Sequence, residues 1–346
     1  MDAQQIIDEA LRWSQNPSID NEDRNEIKNL IDNKDISELT ERFYKDLEFG
    51  TGGLRAILGN GKNRINKYTI RKATQAVINA IPPPPKPEYK MAICYDSRKF
   101  SKEFAMEVAS VCAANKVHAY LYNRLNPVAL LSYAVRELNC DAGVMVTASH
   151  NPPKYNGFKV FWSDGAQVTP PNDRMIINHY NKIQRFEDIP VSNFEDSLKK
   201  GLISILGEDI EDKYHKAIKS KMVSPSVASS HGENLKVVFT PIHGTGLIPC
   251  TQALKESGFS NVIVPSEQAQ PDHRFPTVKS PNPENPEALA IAIQLMQQQD
   301  ADIVMGTDPD TDRLGVAVQK EGSIFFPNGN QIGTLMLHYI LTQCEN

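Results

Sequence analysis

The feature that most constrains this chain is an alternation of short, nearly all-apolar runs with longer segments carrying apolar residues at helical spacing. From residue 67 the pattern reads helix (69–81), strand (90–95), helix (101–115), strand (117–121), helix (127–138), strand (142–147). Strands separated by helices pair through βαβ crossovers, so the expected class is α/β, with mostly parallel or mixed sheets covered by helices. The alternation restarts at 235 with LKVVFT and continues through helix 245–257, strand 261–264, a proline-rich loop to 286, helix 287–299 and strands 302–306 and 314–318. Two successive α/β units follow from this, and a length of 346 residues agrees, at roughly 150 residues per domain. We expect domains at 1–206 and 207–321, with a third beginning at 322–346. The first 47 residues read as short amphipathic helices (2–13, 21–31, 35–47) that cap the first unit. The run IPPPPKP at 81–87 suits neither helix interior nor central strand and reads as an exposed connector.

Charge excludes several partners. Thirty-seven Lys and Arg against 42 Asp and Glu give −5, so the chain as a whole attracts neither nucleic acid nor an anionic membrane. Any phosphate it handles has to meet a local cluster of donors. Cys94, Cys112, Cys140, Cys250 and Cys344 are odd in number and form no CxxC pair, which argues against a zinc knuckle or a disulfide scaffold. The N-terminus lacks the basic start and apolar core of a secretory signal, and no 18-residue apolar run follows. The expectation is a soluble cytoplasmic protein of unspecified oligomeric state.

Three loops carry residues suited to chemistry. Strand DAGVMVT delivers ASHNPPKYNGFKVF at its carboxyl end, where open α/β sheets hold ligands. Ser149 and His150 lie in that loop, Asn156-Gly157 reads as a turn, and Lys159 returns ten residues after the serine. A hydroxyl needs a base, or a metal with cations around it, to attack or carry a group; the bland alternative is a turn serine beside a polar histidine. The second loop, GTDPDTDRLG, places Asp308, Asp310 and Asp312 at i, i+2 and i+4. In extended chain these carboxylates share one side, and three such charges repel unless a cation sits among them. Hard oxygen donors suit Mg²⁺. Arg313 and Gln319 stand where an EF-hand needs Gly and Glu, which disfavours calcium. The third loop, EFGTGGLRAILG, offers Gly50, Gly52 and Gly53 before Arg55, either as an anion-binding turn or as a simple glycine turn. His243 in TPIHGTG is open to the same two readings, a phosphate-facing position or a structural turn. Together the loops suggest phosphoryl transfer, which rests on positioning and charge stabilisation.

TASHNPPKYNGFKV, GTDPDTDRLG and FGTGGLR resemble the motifs of the α-D-phosphohexomutase superfamily, and LRWSQNP with RFYKDLEFGTGGLRA is most similar to its long-chain branch. The resemblance spans from about residue 48 to the end. It implies successive α/β domains around a cleft and interconversion of hexose 1-phosphate and hexose 6-phosphate, through a phosphoserine and a sugar 1,6-bisphosphate. Glucose phosphates come first as substrates, mannose or pentose phosphates next; a phosphoserine-based, metal-dependent phosphatase is the alternative outside the mutases. By the same resemblance Ser149 is the phosphoserine and a Mg²⁺ ligand with Asp308, Asp310 and Asp312. Lys159 and His150 match acid/base positions, Arg55 and Arg313 hold the phosphoryl group, and glucose 1,6-bisphosphate acts as activator. The family's sugar-recognition and distal-phosphate loops are absent before Asn346, so the resemblance also implies a C-terminally truncated chain with impaired turnover.

Overall fold

Trp13, Ile27, Leu39 and Phe43 meet in one cluster because three amphipathic helices, α1 (Ala3–Gln15), α2 (Asn21–Asp32) and α3 (Ile36–Phe43), fold their apolar faces together. The computed structural model describes residues 1–50, 53–82, 88–320 and 322–343. The proline connector at 83–87, Gly52 and Cys344 lie outside these residues. A reciprocal Asp2/Gln5 capping box starts α1, and Tyr68 joins the cluster from the first α/β unit, its ring 5.7 Å from that of Trp13. Helix α3 ends at Phe43 instead of reaching 47, since Leu47 and Phe49 leave the helical cap and bury themselves in the core of the first sheet.

That sheet is built from β1 (Gly53–Ile57), β2 (Tyr89–Tyr95), β3 (Val117–Tyr122), β4 (Ala142–Val146), β5 (Tyr155–Trp162) and β6 (Ile203–Leu206), in the order β1-β5-β4-β2-β3-β6. Strands β4, β2, β3 and β6 are parallel, while β5 and β1 run antiparallel at one edge. Helices α4 (Lys67–Ala80), α5 (Ser101–Ala114), α6 (Val128–Glu137), α7 (Asn172–Lys182) and α8 (Phe194–Lys199) complete the unit. Alternation along β2 feeds both faces: Met91 and Ile93 enter the core under α4, α5 and α7, and Ala92 and Cys94 enter the core under α6. Strands buried on both sides in this way explain the near-continuous apolar runs in the sequence.

After α9 (Glu208–Lys219) and α10 (Pro225–His231) comes the second sheet, in the order β11-β10-β9-β7-β8. Its strands are β7 (Val237–Thr240), β8 (Val262–Ile263), β9 (Ile303–Thr307), β10 (Leu314–Lys320) and β11 (Ser323–Phe325), with helices α11 (Leu247–Glu256), α12 (Ser266–Ala269) and α13 (Ala290–Gln299). Strands β8, β7 and β9 are parallel; β10 and β11 return antiparallel. Both units therefore end their parallel run the same way, with a loop at the carboxyl end of the last parallel strand and an antiparallel strand coming back. The serine loop joins β4 to β5, and the aspartate loop joins β9 to β10. Helix α14 (Gly329–Gln343) follows with no buried side chain. Among the described residues no helix is long and apolar enough to cross a membrane.

Candidate active site

Two loops from different sheets meet here. Ser149 Oγ donates to Asp308 Oδ2 at 2.7 Å, and both residues are buried. Ser149 also lies 3.3 Å from His150 Nδ1. The serine has φ +52°, a left-handed conformation that costs a residue with a Cβ about 1–3 kcal/mol. The turn that reverses the chain lies at Pro152–Tyr155, closed by the Tyr155 N–H to the Pro152 carbonyl (3.0 Å). It does not lie at Asn156-Gly157, as the sequence suggests. Those two residues sit inside β5, opposite Ala56 and Arg55 of β1. Glycine is needed at 157 for space, since a Cβ there would come within 2.4 Å of the Leu54 carbonyl and 2.6 Å of that of Thr147.

The three aspartates gather by a different route from the one extended chain would give. Residues 308–313 form a tight turn in which the Asp312 and Arg313 N–H groups both donate to Asp308 Oδ1 (3.1 Å each), with Thr311 at φ +60°. One carboxylate oxygen of each aspartate lies within 4.8 Å of the others. Lys159 reaches across from β5 and donates to Asp310 (2.6 Å) and Asp312 (2.7 Å). The Asp310 carbonyl accepts from the Val128 N–H at the start of α6 (3.0 Å), a further tie between the units.

Burial and like charge set the protonation of this cluster. Burial first, then the carboxylates of Asp310 and Asp312, push Asp308 up to about 8. Burial works on Asp310 as well, but the Lys159 ammonium beside it holds its carboxyl below the ordinary value. Lys159 is raised in turn: the two aspartates outweigh its desolvation. His150 is lowered by burial and then by the positive charges of Arg313 and Arg55, so its ring is neutral at physiological pH. Asp310 Oδ1 is buried without a hydrogen-bond partner. An all-oxygen donor set with an unsatisfied buried carboxylate oxygen fits a divalent cation of the Mg²⁺ kind.

The arginines and the remaining loops are distributed as follows. Arg55 lies on β1, just after Gly50 and Gly53, whose backbone groups bond each other reciprocally (2.9 and 3.1 Å) as the simple glycine turn would have them, and its charge reaches His150. Gly53 is required there because a Cβ would lie 1.9 Å from the Phe158 carbonyl oxygen. Arg313 follows the aspartate turn and pairs with Glu284 at 3.2 Å. His243 is structural. Its Nδ1 meets the Gln270 carbonyl (3.1 Å) and its Nε2 the Thr277 hydroxyl (2.9 Å), so both nitrogens are committed. The loop it begins braces the aspartates, with the Thr245 N–H donating to the Pro309 carbonyl (2.9 Å) and Thr245 Oγ1 2.8 Å from Thr311 Oγ1. Several residues around the serine escape sequence reasoning: Asp96, Arg98, Thr147, Phe275 and Ser280. The signal available for the first two is their place directly after the apolar strand ICY.

These features define an α/β protein of two like units whose serine and carboxylate loops are brought face to face. The pattern for phosphoglucomutase/phosphomannomutase α/β/α domain I matches residues 46–187, and that for domain II matches 212–322. The chain belongs to the phosphoglucomutase/phosphomannomutase family of the α-D-phosphohexomutases. It is 36% identical to a phosphoglucomutase of Staphylococcus epidermidis over 94% of its own length and 59% of the relative's. To one from Staphylococcus saprophyticus it is 33% identical, over 90% and 55%. The chain thus spans somewhat over half the length of these relatives. Among solved structures, a phosphomannomutase-type protein of Thermus thermophilus superposes with TM-score 0.72 at 22% identity, covering 87% of this chain and 62% of that one. A phosphoglucomutase/phosphomannomutase family protein of Burkholderia thailandensis gives 0.64 at 21%, covering 84% and 58%. These two structures share the fold.

Proposed function

We propose that the chain carries the phosphotransfer centre of a hexose phosphate mutase acting on glucose phosphates, with Ser149 as the group that carries the phosphoryl. The reading rests above all on Ser149 Oγ facing Asp308 at 2.7 Å, between loops more than 150 residues apart in sequence. In this reading 1–206 is the serine domain, 207–321 the carboxylate domain, and 322–346 opens a third.

Asp308, Asp310 and Asp312 would hold Mg²⁺ together with an oxygen on Ser149. Bound there, the ion would supply charge stabilisation to the transferring phosphoryl group. The residues of the chain do the rest. When the phosphoserine meets a sugar hydroxyl, a bond forms from that oxygen to phosphorus and the bond from phosphorus to Ser149 Oγ breaks. The hydroxyl proton goes to a neighbouring base, and neutral His150 beside Ser149 is suited to take it. Lys159, kept protonated by Asp310 and Asp312, stabilises negative charge. Arg55 and Arg313, whose charges reach His150, supply guanidinium donors to phosphoryl oxygens. Reversal of the same step on the second phosphate of a sugar 1,6-bisphosphate returns the phosphoryl group to Ser149, which is why glucose 1,6-bisphosphate serves as activator.

The test is the intact mass of the chain before and after exposure to glucose 1,6-bisphosphate with Mg²⁺, beside Ser149→Ala. Gain of one phosphoryl group by the wild type alone is expected. Equal gain by Ser149→Ala, or none by a folded, metal-loaded wild type, overturns the assignment. Release of the group into water, with none returned to glucose 6-phosphate or glucose 1-phosphate, would replace mutase by phosphatase.

A further inference from the structure

Ser149 keeps its left-handed backbone although it has a Cβ, and both of its main-chain polar groups are tied to one short segment at the end of β2, Asp96-Ser97-Arg98. The Ser149 N–H donates to Thr147 Oγ1 (2.8 Å), whose hydroxyl donates to Asp96 Oδ2 (2.6 Å). The Ser149 carbonyl accepts from Arg98 Nη2 (2.5 Å), which also reaches the Asn151 carbonyl (2.5 Å). Arg98 Nη1 donates to the carbonyls of Pro152 and Tyr155, 3.0 Å each. A single guanidinium thus spans the serine loop from Ser149 to the start of β5. Asp96 is itself fixed by Ser101 Oγ (2.8 Å) and the Arg98 N–H (2.9 Å). Both side chains are 0% exposed and pair at 3.4 Å; the Nη groups are matched by the four carbonyls, and Nε, without a hydrogen-bond partner, has only the charge of Asp96.

The second unit closes the arrangement. The fully buried Phe275 packs its ring against the guanidinium, 5.1 Å from centroid to Cζ. Five residues on, Ser280 Oγ donates to the His150 carbonyl at 2.5 Å. The loop that carries the serine is therefore held by a first-unit arginine that a second-unit aromatic ring backs, and by the second-unit hydroxyl of Ser280. Fork geometry is essential here, because an ammonium on a flexible stem has three donors and does not address four carbonyls at once.

We infer that Asp96 and Arg98 are positioning residues of the site. They touch no reacting atom, and they fix the backbone of Ser149 so that its oxygen faces Asp308, with Phe275 seating the arginine from the far side of the junction. The inference rests on the reading of Ser149 as phosphoryl carrier.

The test uses the full 346-residue chain with Arg98→Lys and Thr147→Val, the second a nearly isosteric change that removes the hydroxyl linking the Ser149 N–H to Asp96. Three quantities are read: the initial rate of phosphoryl uptake from glucose 1,6-bisphosphate with Mg²⁺, the affinity for Mn²⁺ by electron paramagnetic resonance, and hydrogen exchange of the peptide spanning 147–156. Uptake is expected to fall about 100-fold in Arg98→Lys, the effect of an ångström-scale misplacement of a reacting atom. Exchange in the loop should rise about tenfold while the rest of the first sheet keeps its protection. Mn²⁺ affinity should fall far less than uptake, by less than about tenfold, because the aspartates sit on a turn held by its own N–H groups and only the Ser149 oxygen is displaced. A merely structural loss would lower protection across the sheet and weaken the metal site together, and that outcome overturns the inference. So does loop exchange unchanged in both variants, or uptake within about threefold of wild type. If the wild type takes up no phosphoryl group, the reading of Ser149 fails, and the exchange measurement alone decides whether Asp96 and Arg98 hold the loop.

Discussion

Lys159 is the counter-charge that keeps the buried Asp310 ionised beside Asp312 and Asp308. Asp308 and Asp310 are fully buried, and the Lys159 side chain, 4% exposed, is bonded to Asp310 and to Asp312 beside it. Lys159→Ala removes that charge and leaves the aspartates facing one another, which should cost about 3–5 kcal/mol in metal-free buffer, as for other broken buried pairs. A divalent cation neutralises the same carboxylates, so Mg²⁺ should raise the melting temperature of Lys159→Ala more than that of the wild type. Thermal melts with and without Mg²⁺ check this; equal metal-induced shifts would mean that the carboxylates are not the cation site. Cysteine chemistry gives a second expectation at this scale. Burial pushes Cys250 up to about 12 and raises Cys94 and Cys112 further. At pH 8 these thiols are un-ionised, and Cys94 and Cys112 are buried besides, so iodoacetamide should leave those two unmodified in the native chain and alkylate them in denaturant, as read by peptide mass mapping.

Among the elements, the edge formed by β1 and β5 bears most directly on the site, since β5 carries Lys159 and β1 carries Arg55. Gly53 pairs with Lys159 in that ladder, and its φ of +145° together with a Cβ position 1.9 Å from the Phe158 oxygen leaves no room for a side chain. Gly53→Ala should therefore lower stability by about 3 kcal/mol or more, from backbone strain and overpacking together. Gly201→Ala, at φ +69° with nothing within 4 Å, meets only the left-handed penalty of about 1–2 kcal/mol. Urea titrations of the two variants separate the cases, and equal midpoints would contradict the close approach. The central parallel strands were legible in the sequence because both their faces are buried, which writes an unbroken apolar run. Strand β1 was not, since GLRAI mixes glycine and arginine at a half-exposed edge. Strand β6 was not either, its four residues being too few to show a period. The same logic divides the site. Ser149 and the aspartates stood out because each loop lies between two apolar strands. Arg98 did not, because one arginine after a strand reads as surface until the fold shows it 0% exposed, with four carbonyls around its guanidinium.

At the scale of the whole molecule, the two α/β units and the helical cap are joined by buried polar and apolar contacts, whereas α14 is attached differently. None of its side chains is buried, and Leu335, Met336, Leu337 and Leu341 are each more than half exposed. A helix that buries nothing contributes little to the stability of what it is attached to, because the entropy of ordering it is not offset by apolar area removed from water. Its contiguous apolar surface is of the kind that drives association between molecules. Deleting residues 329–343 should thus leave the melting temperature within about 2 °C of the intact chain, a change of at most about 1 kcal/mol for units of this size. It should also diminish concentration-dependent self-association in sedimentation velocity. Phosphoryl uptake at Ser149 should be unaffected, because neither the serine loop nor the aspartate turn draws a hydrogen bond from α14. A large fall in melting temperature on deletion would show that the helix packs against the second unit in solution, through the groove of Met222, Val227, Leu235 and Phe259 that Tyr339 already borders.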